Sequence, residues 1–319
     1  MPPPLVSPTI VFAPDRARAN DFPSKPITLV VPQAAGGAND AIARVVAGKL
    51  SDIWGQQMVV ENRGGAGGIV GTTEVAKAAP DGYALLIADV GQIAINPHLF
   101  AKLPYDPLKD LVGVSLLGTS ALYLVAHSSV PANNMAELIA LIRAQPGKLS
   151  YGSSGTGSIH HLATEALKVG LGLDIVHVPY KGAGQSVPAL LGGQVALLYA
   201  ALPTIEGHYK SGKVKILAVS TPQRSPQTPE VPTVAEAGLP GYDFVAEIAI
   251  YAPAGTPHDV VAKLSTQAAR AVKQPDVVQR FKQLGIDAVG STPEALAAQN
   301  RANYEKYARV VKASGAKID

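Results

Sequence analysis

The chain of 319 residues carries 27 Lys and Arg against 24 Asp and Glu, a net charge of +3, with 47% hydrophobic and only 16% charged residues. So small and dispersed a charge excludes nucleic acid as the partner, and at ~150 residues per domain the length suits two domains with ample cores. The absence of cysteine excludes disulfides, thiol nucleophiles, Cys-based zinc sites and a lipoprotein anchor, and no run of ~18 apolar residues is present to span a membrane.

Residues 1–21 are Pro-rich and poorly patterned, and Ala17-Arg-Ala19 forms an A-x-A signature before Asn20-Asp21. They are expected to be a signal remnant or a disordered arm. From Ile27 a β-branched run reaches Pro32, and the small-residue loop Gln33 to Ala38 then delivers Asn39 or Asp40 as the predicted cap of a helix. Free backbone N–H groups at such a loop, with the helix dipole behind them, form an anion site that needs no charged side chain. The same residues also suit a plain strand-to-helix connection.

Met58 to Glu61 is the next predicted strand, followed by the glycine loop Asn62 to Gly71 and a helix from Thr72 to Ala79. This loop lacks the third glycine of a dinucleotide fingerprint, because Val70 stands there, and no Gly-Lys pair is followed by Ser or Thr as a P-loop requires. Ala84 to Ala88 reads as a buried strand that releases Asp89 and Gln92 where ligands of open α/β sheets sit. A strand is predicted at Leu122 to Ala126 and a helix from Met135 to Ala144, capped by Asn133 or Asn134.

A third loop, Ser150 to Ser158, crowds hydroxyls and amides at the start of a helix running to about Val169. It is either a second anion site or a generous cap. Val176 to Gly184 reads as a strand leading into a further glycine turn, followed by a helix through Leu191; Lys181 suits either a carboxylate partner or an exposed turn. Strands follow at Gln194 to Tyr199, Val214 to Ser220 and Val245 to Tyr251, then helices at His258 to Lys273, Pro275 to Leu284 and Pro293 to Ala313. Strands alternating with helices imply mainly parallel sheets with right-handed crossovers.

Ser158 lies beside His160 and His161, but residues so close on one helix start do not make a spatial triad, and the G-x-S-x-G elbow is absent. Two adjacent histidines point about 100° apart on a helix and cannot ligate one metal. One is expected to cap or pack and the other to face the cleft. Three loops that offer N–H donors, without an acid, a base or a metal set, describe a binder with no catalytic residues, no metal and no cofactor.

A family then comes into view. Pro32 to Asp40 with Ala43-Arg44, Glu61 to Gly68, Ala79-Pro-Asp-Gly-Tyr83, Leu103 to Pro107, Pro146 to Leu149, His177 to Gly182, Leu191 to Val195, Pro229 to Tyr242 and Ala252 to Pro257 together resemble the Bug receptors. These are the extracytoplasmic solute-binding proteins of tripartite tricarboxylate transporters, and the match covers nearly everything from Phe22 onward. The resemblance implies an α/β type II periplasmic binding fold of two lobes, two crossover strands and a ligand cleft. Lobe one would be residues 22–124 and 245–319, lobe two residues 125–244, with crossovers near Leu122 to Ala126 and Val245 to Tyr251. It also implies that one ligand carboxylate is held between the first loop and the hydroxyl loop.

The candidate ligand set is therefore Gln33, Ala34, Ala35, Gly36, Asn39 and Asp40, then Asp89 and Gln92, then Ser153, Ser154, Thr156, Gly157, Ser158 and His160, with Tyr180, Lys181, Ala200 and Glu247. The chain departs from the family pattern at Ala196, Ala200 and Ala201, where acids and an amide are usual, and at Glu247, where relatives often carry Trp. An alanine wall would admit a larger or flatter ligand. A carboxylate at 247 would repel a dicarboxylate unless it is protonated, paired or turned away. The expected ligand is a small dicarboxylate, aromatic ones such as terephthalate included, with an amino acid or nicotinate-like acid as the alternative. An enzyme acting on a carboxylate in the same cleft is the other class, and it lacks an acid-base pair here. The expected setting is a periplasmic monomer that serves the membrane subunits of such a transporter.

Overall fold

A computed structural model describes residues 22–318. The expected signal remnant at residues 1–21 lies outside the described residues. The first half of the chain runs β1 (Ile27–Val31), α1 (Ala38–Trp54), β2 (Met58–Asn62), α2 (Ile69–Ala76) and β3 (Ala84–Asp89). A π turn at Gly91–Ile95 then enters α3 (Asn96–Leu99), before β4 (Leu111–His127), α4 (Met135–Ala144), β5 (Ser150–Ser153) and α5 (Ile159–Leu171). The second half holds β6 (Val176–Pro179), α6 (Ala183–Leu191), β7 (Leu197–Ala201), α7 (Leu202–Lys210) and β8 (Val214–Val219). It closes with β9 (Val245–Pro253), α8 (His258–Val272), α9 (Pro275–Gln283), β10 (Asp287–Ala288) and α10 (Pro293–Ser314).

Two sheets share β4, in the order β2-β1-β3-β9-β4-β7-β5-β6, with β8 and β10 also paired to β4. β4 is far longer than the expected Leu122 to Ala126, since its first part, Leu111 to Ala121, pairs with β9 in one sheet and its last residues pair with β7 and β8 in the other. The sheets are mixed rather than mainly parallel. β1 is parallel to β2 and β3, and β5 to β6 and β7, but the long strands β4 and β9 return antiparallel to each other and to their neighbours β3 and β7.

Register decides where the loops point. Asp89 at the end of β3 pairs with Ile248, which pairs with Gly118, close to the passage of β4 between sheets at Ala121 and Leu122. From the other side, Ala201 at the end of β7 pairs with Leu122, and β5 lies parallel to β7. The C-terminal ends of both sets of parallel strands therefore face the crossing, where open α/β sheets hold ligands.

One apolar cluster fills the first sheet's α1 and α8 side around Leu29, Ile42, Leu85, Ile250 and Phe281. A second joins Tyr151, Leu162 and Tyr199 to Ile95 and Leu99, and to Tyr307 and Val311 of α10. The last helix thus packs its buried face on elements next to both sheets.

Several local expectations move. α1 is capped by Gly37 in extended conformation with no side-chain cap, so neither Asn39 nor Asp40 caps it; they lie two and three residues later, in the first turn of the helix. α2 begins at Ile69, three residues before the predicted Thr72, because Gly67 and Gly68 adopt positive φ and start the helix early. β7 begins at Leu197 rather than Gln194. α3, α7 and β10 carry too little periodic signal to predict. Asn134 caps α4 as expected, accepting from the Glu137 amide at 2.9 Å.

Candidate functional site

The first loop leaves β1 at Pro32 and is splinted by one carboxylate. Asp89 Oδ2 accepts from Gln33 Nε2 and Asn39 Nδ2, both at 2.9 Å, while its Oδ1 accepts from the Gly91 amide at 2.7 Å. Gln92 continues the splint: its Oε1 accepts from the Asp89 amide at 3.1 Å and its Nε2 donates to the Gly67 carbonyl at 3.2 Å. Asp40 is spent locally, accepting from the Gly36 amide at 2.9 Å and pairing with Arg44 at 2.9 Å. The Arg44 hydrogen bond is the main reason its carboxyl lies below the usual range. Ala34, Ala35 and Gly36 are exposed, and among the described residues nothing accepts from the amides of Ala34 and Ala35. These donors and the first-turn amides of α1 are what the loop offers an anion. Gly64 lies so close that a Cβ there would stand 3.2 Å from the Ala34 nitrogen, so its missing side chain lets the two loops touch.

The second loop leaves β5 at Ser153 and caps α5 with Ser158, whose hydroxyl accepts from the His161 amide at 3.2 Å. Ser153 is buried and turns inward: its Oγ takes the Gly155 amide at 3.1 Å and lies 2.7 Å from His177 Nε2. Ser154 Oγ lies 3.0 Å from His160 Nδ1, and desolvation pushes the His160 pKa down to about 4, so the ring is neutral. Thr156 is exposed, and among the described residues neither its amide nor its hydroxyl has a partner. Gly157 is buried at φ +78, and a Cβ on it would come within 2.1 Å of Leu99 Cδ2. That contact joins the loop to α3, beyond the end of β3. Of the adjacent histidines, His161 is the more fully covered and His160 keeps a minor part of its surface exposed.

The remaining candidates scatter. Tyr180 donates its amide to the Ser153 carbonyl at 3.1 Å, and Lys181 is exposed, with its amide on Gln185 Oε1 at 3.1 Å. Ala200 is 4% exposed inside the apolar cluster of Tyr123, Val125 and Leu198, while Ala196 leans on the cluster of Tyr151 and Tyr199. The expected alanine wall is not one surface, because Ala196 precedes β7 and packs on one apolar cluster whereas Ala200, inside β7, is buried in the other. Glu247 is 7% exposed and accepts from Gln299 Nε2 and Asn303 Nδ2, each at 2.8 Å, and burial raises its pKa. It is paired to α10, one of the outcomes its place in the sequence leaves open.

Sequence reasoning passes over Arg44, which neutralises Asp40, and over His177. Parallel pairing sets Tyr151 beside His177, and no local pattern announces that register. Two surface cavities of about 730 and 540 Å³ lie elsewhere, the first between α8 and the start of α10, the second along α10 from Ala295 to Arg309 with Asp243 beside it. Among the described residues no group of three or more His, Cys, Asp or Glu is placed to hold a metal ion.

Comparison with known proteins gives the family. The model of the tripartite tricarboxylate transporter family receptor matches residues 42–316. The chain belongs to this receptor family. BugT of Bordetella pertussis is 38% identical over 303 residues, which cover 94% of this chain and 92% of BugT. A Rhodopseudomonas palustris protein solved with adipate is 34% identical with a TM-score of 0.83, covering 93% of this chain and all of that one. MatC of the same species, solved with bound malate, is 34% identical with a TM-score of 0.78, covering 91% of this chain and all of MatC. The receptor family and its two-lobed fold place this chain among solute-binding receptors.

Proposed function

We propose that this receptor captures a small dicarboxylate in the periplasm and delivers it to the membrane subunits of a tripartite tricarboxylate transporter, acting as a monomer. The observation that carries the reading is the pair of loops, Gln33 to Gly37 and Ser154 to Ser158, set at strand ends that face one crossing from both sheets. Each offers unpaired amides or hydroxyls at the start of a long helix, and neither offers a free carboxylate, since Asp40 and Asp89 are consumed within the first loop. A carboxylate is the anion such donors suit. The dicarboxylate class is supported by the relatives solved with adipate and malate. The periplasmic setting is supported by the family and by Ala17-Arg-Ala19; among the described residues no helix is long and apolar enough to cross a membrane.

In this reading residues 22–124 with 245–319 form one lobe and residues 125–244 the other, closing on the ligand about β4 and β9 while α10 lies along both. Ala34, Ala35, Ser154 and Thr156 are the contacts, and Asp89, Asn39, Gln92 and Ser158 hold them in place.

Calorimetric titration with adipate, malate, terephthalate, nicotinate and an amino acid tests the proposal, with product analysis alongside. Saturable binding of at least one dicarboxylate without turnover is expected. Binding confined to nicotinate or the amino acid would overturn the dicarboxylate class, and turnover would overturn the receptor. Ser154→Ala and Thr156→Ala should each weaken binding by about 1 kcal/mol, one net hydrogen bond; unchanged affinity would make both loop residues only.

A further inference from the structure

Behind the hydroxyl loop lies a largely covered group of titratable side chains, with Tyr151, His161 and Glu165 buried, that has no part so far. The rings of His161 and His177 stack at 4.1 Å between centroids, inclined by 22°, and the Tyr151 ring lies alongside, 4.8 Å from His177 and 6.4 Å from His161. The Tyr151 hydroxyl donates to Glu165 Oε1 at 2.6 Å, which also receives Lys168 Nζ at 2.7 Å. Two hydrogen bonds lead from this stack to the loop. The Gly157 amide donates to His161 Nδ1 at 3.1 Å, and His177 Nε2 lies 2.7 Å from Ser153 Oγ.

An amide can only donate, so His161 Nδ1 must be the unprotonated nitrogen, and the ring proton sits on Nε2. A second proton would turn the acceptor into a donor aimed at the Gly157 N–H and would set a cation against the neighbouring imidazole. His161 thus holds one end of the loop only while neutral. His177 holds the other end through Ser153, whose hydroxyl also takes the Gly155 amide at 3.1 Å. Between these anchors stand Ser154 and Thr156.

We propose that His161 and His177 are positioning residues, a neutral stacked pair that fixes Gly157 and Ser153 and so presents Ser154 and Thr156 to the carboxylate. This rests on the hydroxyl loop being a ligand jaw. The charged groups facing the pair are Glu165 and Lys168 of α5; β5 contributes Tyr151, and β6 contributes His177 itself. Desolvation lowers both histidines, that of His177 to about 4, with His161 adding to the latter shift. The sign follows: affinity is full above the ordinary histidine value of about 6.5 and falls on acidification below it, as protons compete for His161 Nδ1 and charge His177.

The test compares the wild-type protein with His161→Leu and His161→Asn, each checked for folding by circular dichroism, with adipate and malate as probes. Asn offers an oxygen near the place of Nδ1 but no titration. His161→Leu should weaken binding about fivefold or more at pH 7.5, one hydrogen bond's worth. His161→Asn should restore affinity and flatten its loss on acidification. Wild-type affinity in His161→Leu, with Ser154→Ala still weakened, would overturn the inference and leave the jaw standing. Failure of the wild-type protein to bind either probe or any other dicarboxylate of the panel would overturn the jaw. Imidazole ¹⁵N shifts test the geometry without any ligand: a proton on His161 Nδ1 at pH 7 would overturn the inference alone.

Discussion

Asp89 shows how a residue can be essential to a binding loop without touching its ligand. Its carboxylate gathers Gln33, Asn39 and the Gly91 amide, so three of its roughly four acceptor sites are used to shape the first loop. Asn39 is buried and has no other acceptor among the described residues, so removing the carboxylate strands its amide. Asp89→Ala should lower unfolding stability by about 2 kcal/mol, within the range for leaving a buried donor unpaired. Asp89→Asn keeps one acceptor oxygen and should cost less. Denaturant titration of the two variants checks the order, and equal stabilities would show that the bonds at Asp89 contribute nothing net. The same logic explains Glu247, whose two oxygens are filled by Gln299 and Asn303.

At the level of elements, the second loop is tied across the molecule through Gly157. Any side chain here meets two obstacles: a backbone at φ +78, which costs a non-glycine residue ~1–2 kcal/mol, and Leu99 Cδ2 at 2.1 Å from the new Cβ. Gly157→Ala should therefore destabilise by about 2 kcal/mol or more. Leu99→Ala creates a cavity of its own but removes the collision, so the double variant should be more stable than the sum of the singles predicts. Strict additivity in a double-mutant cycle would show that α3 and the loop do not share this contact.

The strand and helix series and the two loops were legible because β-branched runs, glycine loops and capping residues act over a few neighbours. Ser158 and Asn134 are caps of that kind. The Gly37 cap was missed because an extended glycine caps without a side chain, and Asn39 and Asp40 looked the better candidates for their hydrogen-bonding groups. The positions of Ala196, Ala200 and His177 depend on strand register and facing. Those properties are set by partners far away in the chain, β4 for Ala200 and β5 for His177.

Over the whole molecule, β4 and β9 carry the chain between the two sheets, and both are irregular where they pair. Their register shifts between Gly113 and Ser115 and again between Leu116 and Gly118, while β4 shifts against β8 between Leu124 and Val125. Such bulges bend and twist strands locally, which makes this stretch the natural place for the sheets to change their mutual angle. α10 works against a free hinge, since Tyr307 and Val311 are buried in the cluster with Ile95, Leu99 and Leu162. The molecule is thus expected to close through a modest rotation that keeps this seam packed. Small-angle scattering should show a smaller radius of gyration with saturating adipate or malate, whichever binds. Thermal unfolding should shift by the linkage amount, about 2.7 kcal/mol at a hundredfold excess over Kd. Tyr307→Ala, which empties the seam, should cost about 3–5 kcal/mol, the scale of a large aromatic-to-alanine change, and should enlarge the ligand-free form more than the bound one. Stabilisation by ligand with an unchanged radius would mean that the jaws already stand at their bound separation and that binding proceeds without closure.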